Sequence, residues 1–201
     1  MRLRYSPTSP FARKVRVVLI ETGLDKRVEP VLTDPWSPDT DLGRDNPLGK
    51  VPVLIDDEGN DVYDSSVICE YLDGMHGGAR LFPAEGKARL VALTRLALAD
   101  GMLDSAVAIR LETAMRPEAL RWPWWIERYK AAIGRGLDRL EADAVGLTDF
   151  AIIGDIAAAC ALGYLDFRLP DMGWRASRPR LAAWFERQQK RPSMAATAPP
   201  G

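Results

Sequence analysis

A single histidine, two cysteines and no excess of either charge set the first limits on this chain. With His76 alone, a histidine-based metal cluster or a Ser-His-Asp hydrolytic triad has no material to be built from, and no metal site is expected. His76 lies between Gly74-Met75 and Gly77-Gly78, which reads as a loop position. Cys69 and Cys160 are far apart and sit inside apolar helical patterns, so they read as inert core residues and not as a disulfide. A reducing cytoplasm is therefore the default location. With 27 basic and 28 acidic residues the net charge is −1, which argues against a nucleic-acid binder driven by phosphate attraction. No apolar run is long enough to span a bilayer, and the N-terminus shows no secretory apolar stretch, so no membrane role is expected.

What is present divides the chain in two. The first part alternates strand and helix signals. Leu3 to Tyr5 and Val28 to Leu32 read as strands, with a helix from Phe11 to Ile20 between them that stops at Gly23. Val51 to Ile55 and Asp61 to Tyr63 read as a hairpin around the turn Asp57-Glu58-Gly59-Asn60. Ser65 is predicted to cap a helix in which Val67, Ile68, Tyr71 and Leu72 recur at helical spacing. Glycine and proline then crowd Gly74 to Ala84, and strand signals cease. A long helix is predicted over Lys87 to Met115 with a bend near Gly101, another over Pro123 to Ala144, an all-round apolar one over Asp155 to Phe167 and an amphipathic one over Pro179 to Arg191. The tail from Pro192 is predicted to be poorly ordered. This organisation predicts an α/β N-terminal domain over residues 1–76, a linker at 77–84 and an all-α C-terminal helical domain over 85–201.

Three segments carry chemistry. In Tyr5-Ser6-Pro7-Thr8-Ser9-Pro10-Phe11-Ala12 a strand turns directly into a helix. Pro10 suits the first helical turn, and Ser9 is placed where its hydroxyl and the free helix amides can meet one small anion. In Asn46-Pro47-Leu48-Gly49-Lys50-Val51-Pro52-Val53 a proline opens an apolar strand, which marks an edge or a strand start, and its peptide bond tolerates the cis form. In Asp64-Ser65-Ser66-Val67 the first-turn amides and hydroxyl can hold a carboxylate beside an acidic group able to pair an ammonium.

In this order and at these separations, followed by an all-helical half, the three segments resemble the cytosolic glutathione S-transferase family over essentially the whole chain. The resemblance implies a thioredoxin-like N-terminal domain and a helical C-terminal domain. Ser9-Pro10-Phe11-Ala12 is similar to the family's serine- or cysteine-type active-site turn. Pro52 matches its cis-proline, with Lys50 and Val51 beside the cysteinyl part of glutathione, and Asp64-Ser65-Ser66 matches the segment that binds the γ-glutamyl end. One departure stands out. The family usually begins a buried helix with Ser/Thr-x-x-Asp, whereas here Ile152 replaces the hydroxyl ahead of Asp155.

The resemblance implies a glutathione transferase, with glutathione as cosubstrate, that conjugates the tripeptide to small hydrophobic electrophiles as a homodimer. Glutathione-dependent peroxide reduction or isomerisation, and a non-catalytic binding or scaffold role, stand beside it as alternatives. Ser9 is expected to stabilise the thiolate, and Tyr5, at the end of the first strand, is its rival. Pro10 and Phe11 belong to the same turn. The second substrate is expected between the domains, against Met102 and Ala106, with Ile109 nearby. Met115 to Glu118 and the cluster Trp122, Trp124 and Trp125 are placed at its entrance, with the tryptophans packing between helices.

Overall fold

Residues 1–200 are described by the computed structural model, and within them four short strands build one mixed sheet with strand order β2-β1-β3-β4. Strands β1 (Arg2–Tyr5) and β2 (Glu29–Leu32) run parallel, joined by helix α1 (Pro10–Glu21) as a crossover. Strands β3 (Val53–Ile55) and β4 (Asp61–Val62) add an antiparallel hairpin, with Leu3 opposite Leu54. β3 begins two residues later than the apolar run suggests. The Val51–Pro52 peptide is cis, as is Tyr63–Asp64, and Pro52 has no N–H for the ladder.

Helix α2 (Ser65–Asp73) follows β4, and here the expected cap shifts by one residue. Asp64 is the cap, its carboxylate accepting from the Ser66 amide at 3.0 Å, and Ser65 is the first helical residue. The buried face of α2 is Ile68, Cys69 and Leu72, while Val67 and Tyr71 point to solvent. The segment from Gly74 to Ala84 has no regular structure but is firmly held. The buried Asp73 carboxylate accepts from the amides of Leu81 and Phe82 at 2.8 and 3.0 Å.

The five helices that follow differ in part from the expectation. Helix α3 (Gly86–Arg110) stays α-helical through Gly101, where a bend was expected, and widens into a π-turn only over Leu111–Met115. Helix α4 (Pro123–Ala142) packs along it, and the central α5 (Ile153–Arg168) is buried on nearly every side. Helix α6 (Pro179–Gln189) covers this pair. The tail corrects the expectation of disorder. It forms helix α7 (Pro192–Ala196), with Ser193, Met194 and Thr197 buried. Polar pairing explains its order, since Arg191 and Ser193 both bond the Glu21 carboxylate at the end of α1, and Arg13 donates to the Met194 carbonyl at 3.0 Å.

Close helix approach is written in two glycines. A Cβ on Gly154 of α5 would stand 2.7 Å from the Arg95 Cβ of α3, and one on Gly136 of α4 would stand 2.6 Å from the Met102 sulfur. The missing hydroxyl cap of α5 is also explained. Ile152 offers no side-chain bond, but Asp155 takes both the amide and the hydroxyl of Thr148 together with the Arg95 guanidinium. A threonine seven residues upstream thus steadies the first turn of α5 by donating to the Asp155 carboxylate, although no side chain caps the helix amides.

Candidate active site

The turn between β1 and α1 has the geometry its sequence suggests. Ser9 is extended and caps α1, its hydroxyl oxygen accepting from the Ala12 amide at 3.2 Å. A hydroxyl that accepts in this way still has its own proton to donate. The Phe11 amide belongs to the first turn, where no intrahelical carbonyl is available, and Pro10 lacks a donor. Ser9 therefore presents one O–H donor at the positive end of a helix. Ser6 and Thr8 bond each other at 3.2 Å and fix the turn.

Tyr5 has a different neighbour. Its ring is covered by Arg16, with the guanidinium carbon 4.8 Å from the ring centre. Arg16 is seven residues beyond Ser9, about 10 Å along the helix.

The loop before Pro52 is organised by Asn46, a buried residue that the sequence reading did not single out. Its side chain donates to the Lys50 carbonyl at 2.9 Å and accepts from the Leu48 amide at 3.0 Å, while Gly49 takes a left-handed φ of 61°. These bonds set Lys50 on the surface and Val51 just ahead of the strand ladder.

The third segment holds a network that spans from α2 to α3. Lys14 of α1 is fully buried, and its ammonium meets both Asp100 oxygens at 2.7 Å. Ser66 donates to Asp100 at 2.9 Å and lies 3.3 Å from the Lys14 nitrogen. Ser66 is therefore engaged in joining α1, α2 and α3, whereas the Ser65 hydroxyl makes no bond among the described residues. One helical turn beyond Asp100, the Asp104 carboxyl is pushed up by burial and then by its neighbour Asp100, with Lys50 opposing. An acidic pair four residues apart on an otherwise apolar helix was the available signal for this face of α3.

Two expected pocket residues are corrected. Met102 and Ala106 are closed off from solvent, as is Ile109. Met102 faces α4, against Gly136, because the α3 face toward α1 and α2 is the one carrying Asp100. The tryptophans are corrected as well. Trp122, Trp124 and Trp125 are exposed, not packed between helices. They occupy the start of α4 at the tip of the α3–α4 hairpin and cover one another, Trp122 stacking on Trp124 with ring centres 5.4 Å apart. Trp125 stacks in turn on Tyr129 at 5.5 Å. Cys69 and Cys160 are fully buried, their thiols pushed up by burial to about 12 and about 11, so neither serves as a nucleophile.

Comparison with known proteins agrees with this architecture. The glutathione S-transferase N-terminal domain profile matches residues 8–75, and the C-terminal domain profile matches residues 125–187. An Escherichia coli K12 protein described as an uncharacterized GST-like protein, YibF, is 38% identical over 203 residues, covering 100% of this chain and 99% of its own. A glutathione transferase family member from Pseudomonas fluorescens Pf-5, solved with bound glutathione, superposes with a TM-score of 0.96 at 46% identity, covering 100% of this chain and 99% of that one. Another structure from that organism, solved with bound S-(propanoic acid)-glutathione, has a TM-score of 0.92 at 44% identity and full coverage of both chains. By both halves of its sequence and by its full length, the chain belongs to the glutathione S-transferase family.

Proposed function

We propose that this protein binds glutathione along the edge formed by the β1–α1 turn, the Lys50-Val51-Pro52 loop and the start of α2, and activates its thiol for transfer to an electrophile. The observation that carries the reading is the Ser9 cap, a hydroxyl with a free proton at a helix N-terminus in a chain whose full-length relatives hold glutathione. A free cysteine thiol ionises near pH 8.5, and the thiolate is the nucleophile. An O–H bond from Ser9 and the helix dipole both favour the anion. Lowering the pKa by about two units would make most of the bound thiol reactive at neutral pH, equivalent to roughly 2.7 kcal/mol.

Ser9 is preferred to Tyr5 because its hydroxyl sits at the N-terminus of α1, whereas one face of the Tyr5 ring is covered by the Arg16 guanidinium. Pro10 and Phe11 shape the turn, and Lys50, Val51 and Pro52 offer backbone to the middle of the tripeptide. The Ser65 hydroxyl and amide suit the γ-glutamyl carboxylate, with Ser66 holding that turn to α3. Asp64, joined by Asp104, suits the ammonium.

Conjugation of 1-chloro-2,4-dinitrobenzene, followed from pH 5.5 to 9, tests the assignment. Ser9→Ala is expected to lower kcat/KM by about 10- to 100-fold near neutrality and to move its pH midpoint toward that of free glutathione. Tyr5→Phe is expected to change it little. A fully active Ser9→Ala beside an inactive Tyr5→Phe would reverse the two roles, and failure to bind glutathione in calorimetry would end the transferase reading.

The homodimer belongs to the same proposal. Val67 and Tyr71 of α2 and Leu90 and Val91 of α3 are large, exposed and adjacent, linked by the Arg89–Glu70 ion pair at 2.8 Å. Such a face suits a self-complementary interface. Leu90→Glu is expected to shift the sedimentation coefficient from dimer to monomer. A wild-type monomer at micromolar concentration would exclude the interface.

A further inference from the structure

Lys14 is a fully buried cation that the thiol chemistry at Ser9 does not use. An ammonium taken out of water is costly unless it is paired and its donors are satisfied. Here the match is complete. The two Asp100 oxygens each lie 2.7 Å from the Lys14 nitrogen, and the Ser66 hydroxyl oxygen lies 3.3 Å away. Three acceptors thus meet the three N–H donors of the ammonium. Ser66 uses its own proton to donate to Asp100 at 2.9 Å, so its hydroxyl is fixed as acceptor and donor at once. Apolar side chains of similar volume would fill the same space without burying charge. What the charges add is direction, and it bears on one place.

That place is the start of α2. Ser66 is the second residue of the helix, and its amide donates to the capping Asp64 carboxylate at 3.0 Å. Helix ends are ordinarily where a fold opens first. This one is tied by a side chain to the middle of two other helices, at Lys14 of α1 and Asp100 of α3. On α1, Lys14 is five residues beyond Ser9, about 7.5 Å along the axis. One network therefore links the helix that carries the Ser9 hydroxyl to the turn that carries Ser65.

We propose that Lys14 and Asp100 are positioning residues for glutathione: acting through the Ser66 hydroxyl, they hold the first turn of α2 against α1, so that the γ-glutamyl carboxylate at Ser65 and the sulfur at Ser9 are received at a set separation. This rests on the glutathione transferase reading above and deepens it, assigning the buried network to affinity for the tripeptide and not to ionisation of its thiol. A closely paired ammonium and carboxylate largely cancel each other at a distance, which leaves the thiolate to Ser9 and the α1 dipole.

Two thioethers separate the ends of the ligand without any turnover. S-methylglutathione carries the γ-glutamyl residue, and S-methylcysteinylglycine lacks it but keeps the sulfur and the glycyl end. Their affinities are measured by calorimetry, with the dipeptide titrated in competition against the tripeptide. The wild type is expected to prefer the tripeptide by tenfold or more. Ser66→Ala leaves the Lys14–Asp100 pair in place and is expected to cut that preference by about three- to tenfold. Lys14→Met is expected to cut it by a similar factor, and the double variant no further, because Lys14 acts through Ser66.

A structural role alone would weaken both ligands alike. A preference that Ser66→Ala leaves unmoved overturns the proposal, whether or not Lys14→Met folds. So does a double variant whose loss is the product of the two single losses. In the conjugation assay Ser66→Ala is expected to raise KM for glutathione while the pH midpoint at saturating glutathione stays at the wild-type value. A midpoint displaced as far as in Ser9→Ala would place the network in thiol ionisation and overturn its assignment to affinity. Failure of S-methylglutathione to bind the wild type overturns the glutathione reading and this proposal together, whereas binding with an unmoved preference overturns this proposal only.

Discussion

The same two helices, α3 and α5, treat arginine in opposite ways at their two ends. At one end, the foot, Arg95 is buried against the fully buried Asp155, and Thr148 adds its hydroxyl and amide, so every charge there has a partner inside the fold. At the other end, the head, exposed Arg110 and half-buried Arg168 meet no carboxylate among the described residues, and the Arg168 Nε is left without an acceptor. A closed set of buried charges holds two helices in register, whereas guanidiniums that keep their hydration add little to stability. The difference separates an end of the domain fastened by buried charge from one that is not.

Substitutions at the two ends sharpen that contrast. The largest loss is expected from Asp155→Ala, about 3–5 kcal/mol in urea unfolding, because it strands a buried guanidinium. A loss below about 1 kcal/mol would show that the foot is not held by this pair. Lys14→Met is next, at about 2 kcal/mol, since it removes the ammonium from Asp100 and Ser66 but leaves those two bonded to each other.

Glu21 gives a smaller effect with a pH signature. Burial alone would push its carboxyl up, but the bonds from Arg191 and Ser193 outweigh this and hold it below its ordinary value of 4.5. A carboxyl depressed in the folded state contributes stability above its unfolded pKa and loses it as pH falls through the folded value. Glu21→Gln is therefore expected to cost about 1 kcal/mol at pH 7, with the gap to wild type closing as pH falls below about 4.5. A gap that stays constant down to pH 3 would mean that charge does not fasten the tail. The smallest effects on stability belong to the head, where Arg110→Gln is expected to shift unfolding by no more than about 0.5 kcal/mol. If the head variants unfold as readily as Asp155→Ala, the contrast fails.

Some of this was legible along the chain because it depends on neighbours in sequence. The Ser9-Pro10 turn, the strand start at Pro52 and the hairpin to Asp61 follow from local backbone chemistry, and each occurs close to where the sequence puts it. The cap at Asp64 was missed by one residue because serine and aspartate both suit that position, and only the backbone decides between them. The tail was misjudged because Pro192 to Thr197 is short and carries no periodic signal of its own. Its order comes from Glu21 and Arg13, more than 170 positions away.

Met102 and the tryptophans show the same limit from two sides. Both were placed near a pocket by their apolar character, but helical periodicity does not say which neighbour a face meets. Met102 turned toward Gly136 and closed, while the tryptophans lay beyond the last covering helix and stayed open. By itself the sequence determined the family, the α/β-then-helical architecture and the hydroxyl at the helix end, since these are local signals read in order. Tertiary structure alone decided which charges found partners, for pairs such as Lys14 with Asp100 and Arg95 with Asp155 form only when distant helices are packed side by side. It also left Arg110 and Arg168 without a carboxylate partner among the described residues, because packing at that end of α3 and α5 gave Asp166 to Arg175.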